Sequence, residues 1–239
     1  MLPRGHGTIL FTGATASVRG GAGFAAFASA KFGLRAVWAL HELSLDYVPH
    51  PILPRTGETK TDEFTRINRR QKIPVLQDGD FTIAESPAII AYLSDTYGTD
   101  DNRLVPNDAR LRATWLEWCF HIAMELDATS LYVMRRHRDL KHIYGDAPVA
   151  VESASQYFET QLRHVVHALG DGRRYLVGER FTSADMLLTT CLVWAINYGV
   201  PVPPICHDYV ARIAARPAYQ EALRANLAPP PPATEKHDA

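Results

Sequence analysis

The sequence is poor in cysteine. Cys119, Cys191 and Cys206 are the three in 239 residues, and no two form a CxxC pair or another metal-ligand spacing. A disulfide scaffold, a zinc ribbon and dithiol redox chemistry are therefore not expected. An odd count in a long chain reads as free thiols in a reducing compartment. Long apolar runs are missing too. None reaches the roughly 18 residues that a membrane-spanning helix needs, and no charged start, apolar run and cleavage site follow in order as a signal peptide requires. Charge of one sign is not in excess: 25 basic and 26 acidic residues leave a formal net charge of −1. That balance argues against nucleic acid or an anionic membrane as the main partner. The expectation is a cytoplasmic protein with no metal, no membrane and no nucleic-acid partner.

What is present is enough to build a core. Apolar residues make up 46% of the chain and charged residues 21%, a globular rather than a disordered composition. At this size about 70% of the unfolded surface is buried on folding, so neither disulfides nor metal are needed. Residues 7–12 read as a short buried strand ended by Gly13, followed by a loop of small residues to about Gly23. Apolar residues then recur at helical spacing from Phe24 to Leu43. A second strand is expected over 47–52, and Pro49 and Pro51 place it at a sheet edge. Thr61-Asp62-Glu63 starts a short helix. Two short strands flanking Asp78-Gly79 make a hairpin. Ser86 is expected to cap a helix with Pro87 at its first position, stopped by Gly98.

Beyond residue 100 the pattern is helical almost throughout. Long helices are expected over 109–140 and 148–169, then over 182–198, 205–215 and a short stretch after Pro217. The chain thus divides into an α/β part over 1–98, a polar linker over 99–107 and an all-helical part over 108–228. A proline-rich tail over 229–239 is expected to be disordered. Thr182 and Asp185 approximate a capping box, with Phe181 and Met186 spaced as its hydrophobic staple; this is a structural signal, worth about 1 kcal/mol for the cap. The run Arg135-Arg136-His137-Arg138 reads as a solvated helix face from which one Arg could reach an acidic cosubstrate. The paired histidines His137/His142 and His164/His167 read as surface residues rather than ligands.

The most specific stretch is Gln71-Lys72-Ile73-Pro74-Val75-Leu76, followed nine residues after Leu76 by Glu85-Ser86. Pro74 lacks an N–H and cannot sit inside a ladder without reason. A cis proline in a tight turn before an edge strand would leave the N–H and C=O of Val75 free for a peptide ligand. Ser86 at a helix N-terminus offers a hydroxyl, a backbone N–H and the positive dipole end, which suits a carboxylate. Glu85 beside it can accept from an ammonium group. A ligand carrying both an amino group and a carboxylate fits this pair. The plainer alternative is that Ser86 only caps its helix and Pro74 only starts a strand.

Together these stretches resemble the cytosolic glutathione transferases of bacteria. The resemblance covers residues 36–227 and rests on Val37-Trp38-Ala39-Leu40-His41-Glu42-Leu43, on the turn from Lys72 to Leu76, and on Glu85-Ser86-Pro87-Ala88-Ile89-Ile90-Ala91-Tyr92-Leu93. Further along it rests on Tyr175-Leu176-Val177-Gly178-Glu179, Phe181-Thr182-Ser183-Ala184-Asp185 and Arg216-Pro217-Ala218-Tyr219. It implies a thioredoxin-like first domain, an all-α second domain and a homodimer. It implies glutathione as cosubstrate, held by Val75 through its backbone, by Glu85 and Ser86 at the γ-glutamyl end, and with Lys72 near the glutathione backbone or glycine carboxylate. The implied activity is detoxifying transfer of the thiolate to a small apolar electrophile. A binding or scaffold protein that keeps the glutathione site but not catalysis is the alternative.

Residues 7–35 resemble something else, an internal piece of a short-chain dehydrogenase. The Tyr-x-x-x-Lys pattern of that family falls on Phe27 and Lys31, and its serine, thirteen residues before the tyrosine, falls on Ala14. Both hydroxyls are absent, and Gly20-Gly21-Ala22-Gly23 does not match GxGxxG, so no NAD(P) is expected. The piece still reads as strand, loop and helix, the unit a transferase needs at its start, and binary pattern and element order decide much of an architecture. A recombined or mis-joined chain would read the same way. The thiol-activating hydroxyl is then sought among Ser17 and Thr15 in the loop, or Ser29 if the first helix starts late.

Overall fold

The computed structural model describes residues 8–13, 23–52 and 57–227, with side chains over 33–50, at 52 and over 57–226. Thr15, Ser17 and the tail from residue 229 lie outside the described residues, as does Ala14. Four strands form one sheet in the order β2-β1-β3-β4: β1 is Thr8–Gly13, β2 Val48–Ile52, β3 Val75–Asp78 and β4 Phe81–Ala84. Strand β1 runs parallel to β2, with Ile9 opposite Val48, and antiparallel to β3, with Leu10 opposite Leu76. The proline-bearing β2 lies at an edge, where missing donors cost no ladder bond. Gly79 turns the β3–β4 hairpin with φ 61°.

Helix α1, Gly23–Glu42, lies between β1 and β2 in the chain, as the crossover of a parallel pair requires. Helices α2, Asp62–Ile67, and α3, Ser86–Tyr97, complete the first part. Thr61 caps α2 by accepting from the N–H of Phe64 at 3.2 Å. Helix α3 ends where a Cβ on Gly98 would collide with the carbonyl oxygen of Ser94, so glycine is required there. The whole is a thioredoxin-like unit joined to an all-helical one.

The joining segment is not loose. The Ser94 hydroxyl accepts from the N–H groups of Leu104 and Val105, each at 3.0 Å, and the Leu104 carbonyl accepts from Ser183 N–H at 2.9 Å. Both apolar residues are buried. Asp108 then caps α4, Ala109–His121, by accepting from the N–H groups of Arg110 and Leu111.

The remaining helices are α5, Tyr132–His137, α6, Lys141–Tyr144, α7, Pro148–Leu169, α8, Ser183–Asn197, α9, Pro204–Ala214, and α10, Pro217–Leu227. Pro148, Pro204 and Pro217 each stand at a first helical position, where the lost N–H has no intrahelical partner anyway. At the start of α8 the Asp185 carboxylate accepts four hydrogen bonds, from the N–H and hydroxyl of Thr182, the N–H of Leu176 and the hydroxyl of Tyr209. Burial pushes the Asp185 carboxyl upward, and these four bonds oppose it. The group therefore ties three separate segments together in the core.

Three sequence expectations change. The helix expected over 109–140 is three stretches: α4, a π-helical stretch over Ile122–Leu131, and α5. A π turn takes in an extra residue and shifts the phase of the buried face. Within this stretch Ile122, Leu126, Asp127, Ser130 and Leu131 are buried. The cap of α3 is Glu85, not Ser86; Ser86 is the first residue of the helix and Pro87 the second. Arg135, expected on a solvated face, is buried at 7% exposure.

Helix α1 holds the two parts together. It packs on β1 and α3 on one side and on α8 and α10 on the other. Its Arg35 is buried and pairs with Asp127 at 3.1 Å, while also donating to the Thr190 hydroxyl at 2.7 Å. Glu42 takes a two-pronged contact from Arg216, at 2.6 and 2.7 Å, and also accepts from the Trp38 indole at 2.9 Å. The Arg216 guanidinium lies 3.9 Å from the Phe181 ring centre, and the Trp38 ring meets Tyr219 edge-on. Bidentate, stacked arginine is the strong form of this contact.

Candidate functional site

A cavity of about 600 Å³ opens between the sheet part and the helical part. One wall is the loop before β3 and the start of α3, carrying Arg70, Lys72, Ile73, Pro74, Glu85 and Pro87. The other is the π-helical stretch and α5, carrying Met124, Asp127, Tyr132, Val133, Arg135 and Arg136. Arg35 of α1 reaches it from behind.

The loop wall is set by Asn68. Its side chain donates to the Lys72 carbonyl at 2.7 Å and accepts from Arg70 N–H at 3.0 Å, a local closure that short amide side chains favour. Gln71 sits at φ 53° within this closed loop. The Ile73–Pro74 peptide that follows is cis. Ile73 lines the cavity, and its backbone N–H and C=O hydrogen-bond to no described residue. A main-chain donor and acceptor left open at one residue suit a peptide ligand.

Val75 was expected in that role and is placed elsewhere. Strand β3 is internal rather than an edge, so Val75 lies between Phe11 of β1 and Ala84 of β4. Its side chain is fully buried with Ile52 and Phe64. Sequence alone could not fix this, because strand order decides which residue beside the proline stays open. Pro74 lies at the junction, lining the cavity at the entry to β3.

At the start of α3, Glu85 has φ 72° and an exposed side chain that pairs with Arg70 at 2.8 Å. Both partners are more than half or about half exposed, at 61% and 50%, so this pair contributes little to stability. Ser86 is buried, and its hydroxyl has no hydrogen-bond partner among the described residues. An orphan hydroxyl in the first turn of a twelve-residue helix is a standing cost unless a ligand meets it. Pro87 contributes no N–H, so the open donors of that turn are those of Ser86 and Ala88. Lys72 lines the same wall, and no carboxylate of a described residue pairs with it.

Of the hydroxyls considered for thiol activation, Ser29 is the seventh residue of α1, which begins at Gly23. The late helix start that would place Ser29 on the preceding loop does not occur. Thr15 and Ser17 belong to the undescribed segment between β1 and α1. The three cysteines are buried and form no disulfide. Burial pushes the Cys119 thiol up to about 12 and the Cys206 thiol to about 11, so both stay protonated at neutral pH. Among the described residues no cluster of three or more potential ligands could hold a metal ion, and no helix is long and apolar enough to cross a membrane.

Four site features escaped the sequence reading. The backbone of Ile73 follows from strand order. Arg70 was not separable from its basic neighbours. Arg35 and Asp127 meet between α1 and the π-helical stretch, far apart in sequence, and no local pattern marks that pairing.

Comparison with known proteins places this geometry. Family models described as glutathione S-transferase, N-terminal domain, and glutathione S-transferase, C-terminal domain, match residues 31–96 and 121–217. The chain is 30% identical over 210 residues to Glutathione S-transferase 3 of Zea mays, covering 84% of this chain and 92% of that one. It is 30% identical over 169 residues to Glutathione S-transferase GstA of Escherichia coli O157:H7, covering 69% and 78%. Among solved structures, glutathione transferase URE2P8 from Phanerochaete chrysosporium, determined with oxidized glutathione, superposes with a TM-score of 0.77 at 20% identity over 94% of this chain and 97% of that one. Ure2p in complex with glutathione superposes with a TM-score of 0.78 at 22% identity, over 92% and 93%. At these identities the structural likeness speaks for the fold.

Proposed function

The chain belongs to the glutathione S-transferase family, and on that premise we propose that it binds glutathione against the loop wall of the cavity and joins it through its sulfur to a small electrophile of apolar body. The observation that carries this reading is the orphan Ser86 hydroxyl, buried in the first turn of α3 beside a cavity that also exposes the open backbone of Ile73. The γ-glutamyl carboxylate meets the Ser86 hydroxyl and the first-turn N–H groups. The Glu85 carboxylate takes the ammonium group, in exchange with Arg70. The cysteinyl peptide unit pairs with the N–H and C=O of Ile73, the role first expected of Val75, and Lys72 faces the glycine carboxylate. Two of the solved relatives were determined with glutathione or its oxidized form.

Transfer requires the thiolate. A thiol of pKa about 8.5 is only about 3% ionised at pH 7, and lowering it by two units takes about 2.7 kcal/mol of differential stabilisation. Ser17 and Thr15, on the segment leading into α1, are the hydroxyls we assign to that task. The N-terminal end of α1 adds its dipole.

The protein acts as a cytoplasmic homodimer in this reading. Phe81 of β4 and Leu116 and Phe120 of α4 are exposed apolar side chains, Phe120 at 65%. Such exposure on a water-soluble surface suits a second copy of the chain.

The test is calorimetric titration with glutathione in buffers of different ionisation enthalpy, coupled to conjugation of 1-chloro-2,4-dinitrobenzene. Binding with release of a proton near neutral pH, and conjugation, support the transferase reading. Binding without proton release or conjugation makes the protein a glutathione binder only. No binding by the folded protein overturns the assignment.

A further inference from the structure

The helical wall of the cavity carries positive charge that the glutathione contacts leave unused. Five cationic side chains line the cavity. On the helical side Arg35 is matched by Asp127; on the loop wall Arg70 pairs with Glu85 until glutathione takes that carboxylate, and Lys72 is assigned above to glutathione. Arg135 and Arg136 remain. Neither has a carboxylate partner among the described residues. Arg135 is 7% exposed, and its Nε has no hydrogen-bond partner. Its guanidinium carbon lies 5.5 Å from the centre of the Tyr132 ring. Arg136 is exposed and lies between two rings, 5.6 Å from Tyr132 and 5.3 Å from Tyr144.

A buried guanidinium without an anion is costly, because its desolvation is not repaid. The partial negative charge at the end of α5 offsets a little of this, and ring faces offset a little more. Neither supplies acceptors for the fork of N–H donors, which matches a carboxylate or sulfonate in a bidentate geometry. The same wall offers Met124, Val133 and the Tyr132 ring as apolar contact. Cations held against aromatic rings, next to apolar side chains, describe a site for a flat body with an acidic end.

We propose that Arg135 and Arg136 form an anion subsite, and that the preferred electrophile carries a carboxylate or a similar anionic group. As a statement about the electrophile this rests on the transfer reading; as a statement about the cavity it does not. In such a transfer the glutathione sulfur bonds to the electrophilic carbon as the leaving group departs with the bonding pair, and the thiol proton passes to solvent.

Titration of the whole protein with 3,5-dinitrobenzoate and 3,5-dinitrobenzamide reads the subsite without turnover, since neither has a leaving group. The benzoate is expected to bind about tenfold more tightly, the scale of a hydrogen bond to a charged group. Arg136→Met, at an exposed position, and Arg135→Met are each expected to remove that preference. With glutathione, the ratio of kcat/KM for 4-chloro-3,5-dinitrobenzoate over its amide is expected to fall about tenfold in Arg136→Met. Equal binding of benzoate and amide by the unaltered protein overturns the subsite, as does a preference that survives both substitutions. Weaker glutathione binding in the variants, without a change in the benzoate preference, returns these arginines to glutathione. A benzoate preference without conjugation overturns the assignment to an electrophile and, separately, the transferase reading.

Discussion

The two walls of the cavity are built on different terms. The loop wall offers backbone groups and one orphan hydroxyl, fixed by a short closed loop, a cis proline and a helix start. The helical wall offers long side chains on a stretch whose helical phase has slipped. Main-chain donors and acceptors recognise a peptide whatever else varies, whereas side chains on a helix set charge and shape. The contrast teaches that one wall is made for a constant ligand and the other for a particular one. Arg35 and Asp127 join them, so the cavity's shape depends on a buried ion pair between α1 and the π stretch.

Breaking that pair is the sharpest way to break the comparison. Asp127→Ala leaves the Arg35 guanidinium buried without its partner carboxylate, and a loss of about 3–5 kcal/mol in unfolding free energy is expected by denaturant titration. A change under about 1 kcal/mol would mean that the two walls are not coupled through it. Asp185→Ala strips the carboxylate from four hydrogen bonds on the helical side, with an expected loss of about 3 kcal/mol. Asp185→Asn should recover part of it, and equal losses would deny the carboxylate a special role. On the α1–α10 contact, Arg216→Lys keeps the charge but loses the two-pronged geometry, and a loss of about 1–2 kcal/mol is expected.

Smaller effects sharpen the picture. In the native state at pH 7, Cys119 and Cys206 should resist an aromatic disulfide reagent and react only after unfolding; fast native labelling would contradict their burial. His121 titrates below its ordinary value, first through burial and then through repulsion by His164. The unfolded chain therefore takes up that proton first, and stability falls as pH drops below about 6.5 toward the folded value. His121→Gln should flatten that slope, and an unchanged slope would place the acid sensitivity in another group.

Much of the fold was legible because it is written in local signals. Pro148, Pro204 and Pro217 mark helix starts, Asp78-Gly79 marks the hairpin, and Pro49 with Pro51 marks the edge strand. The start of α3 was legible to within one residue, Glu85 taking the cap expected of Ser86. Non-local features were not legible. Val75 and Ile73 exchange roles according to whether β3 is an edge, which depends on β1, more than sixty residues earlier. Arg135 is buried although three of its neighbours are charged or ionisable, because the preceding π turn resets which face looks inward. Periodicity assumes one pitch, and a change of pitch defeats it.

The central claim is that the orphan hydroxyl of Ser86 marks the seat of glutathione. The direct measurement is the glutathione dissociation constant of the unaltered protein and of Ser86→Ala, both by calorimetry. One equivalent bound by the unaltered protein, and affinity about tenfold weaker in the variant, is the predicted result. No binding by the folded protein, or equal affinity in both, would contradict it.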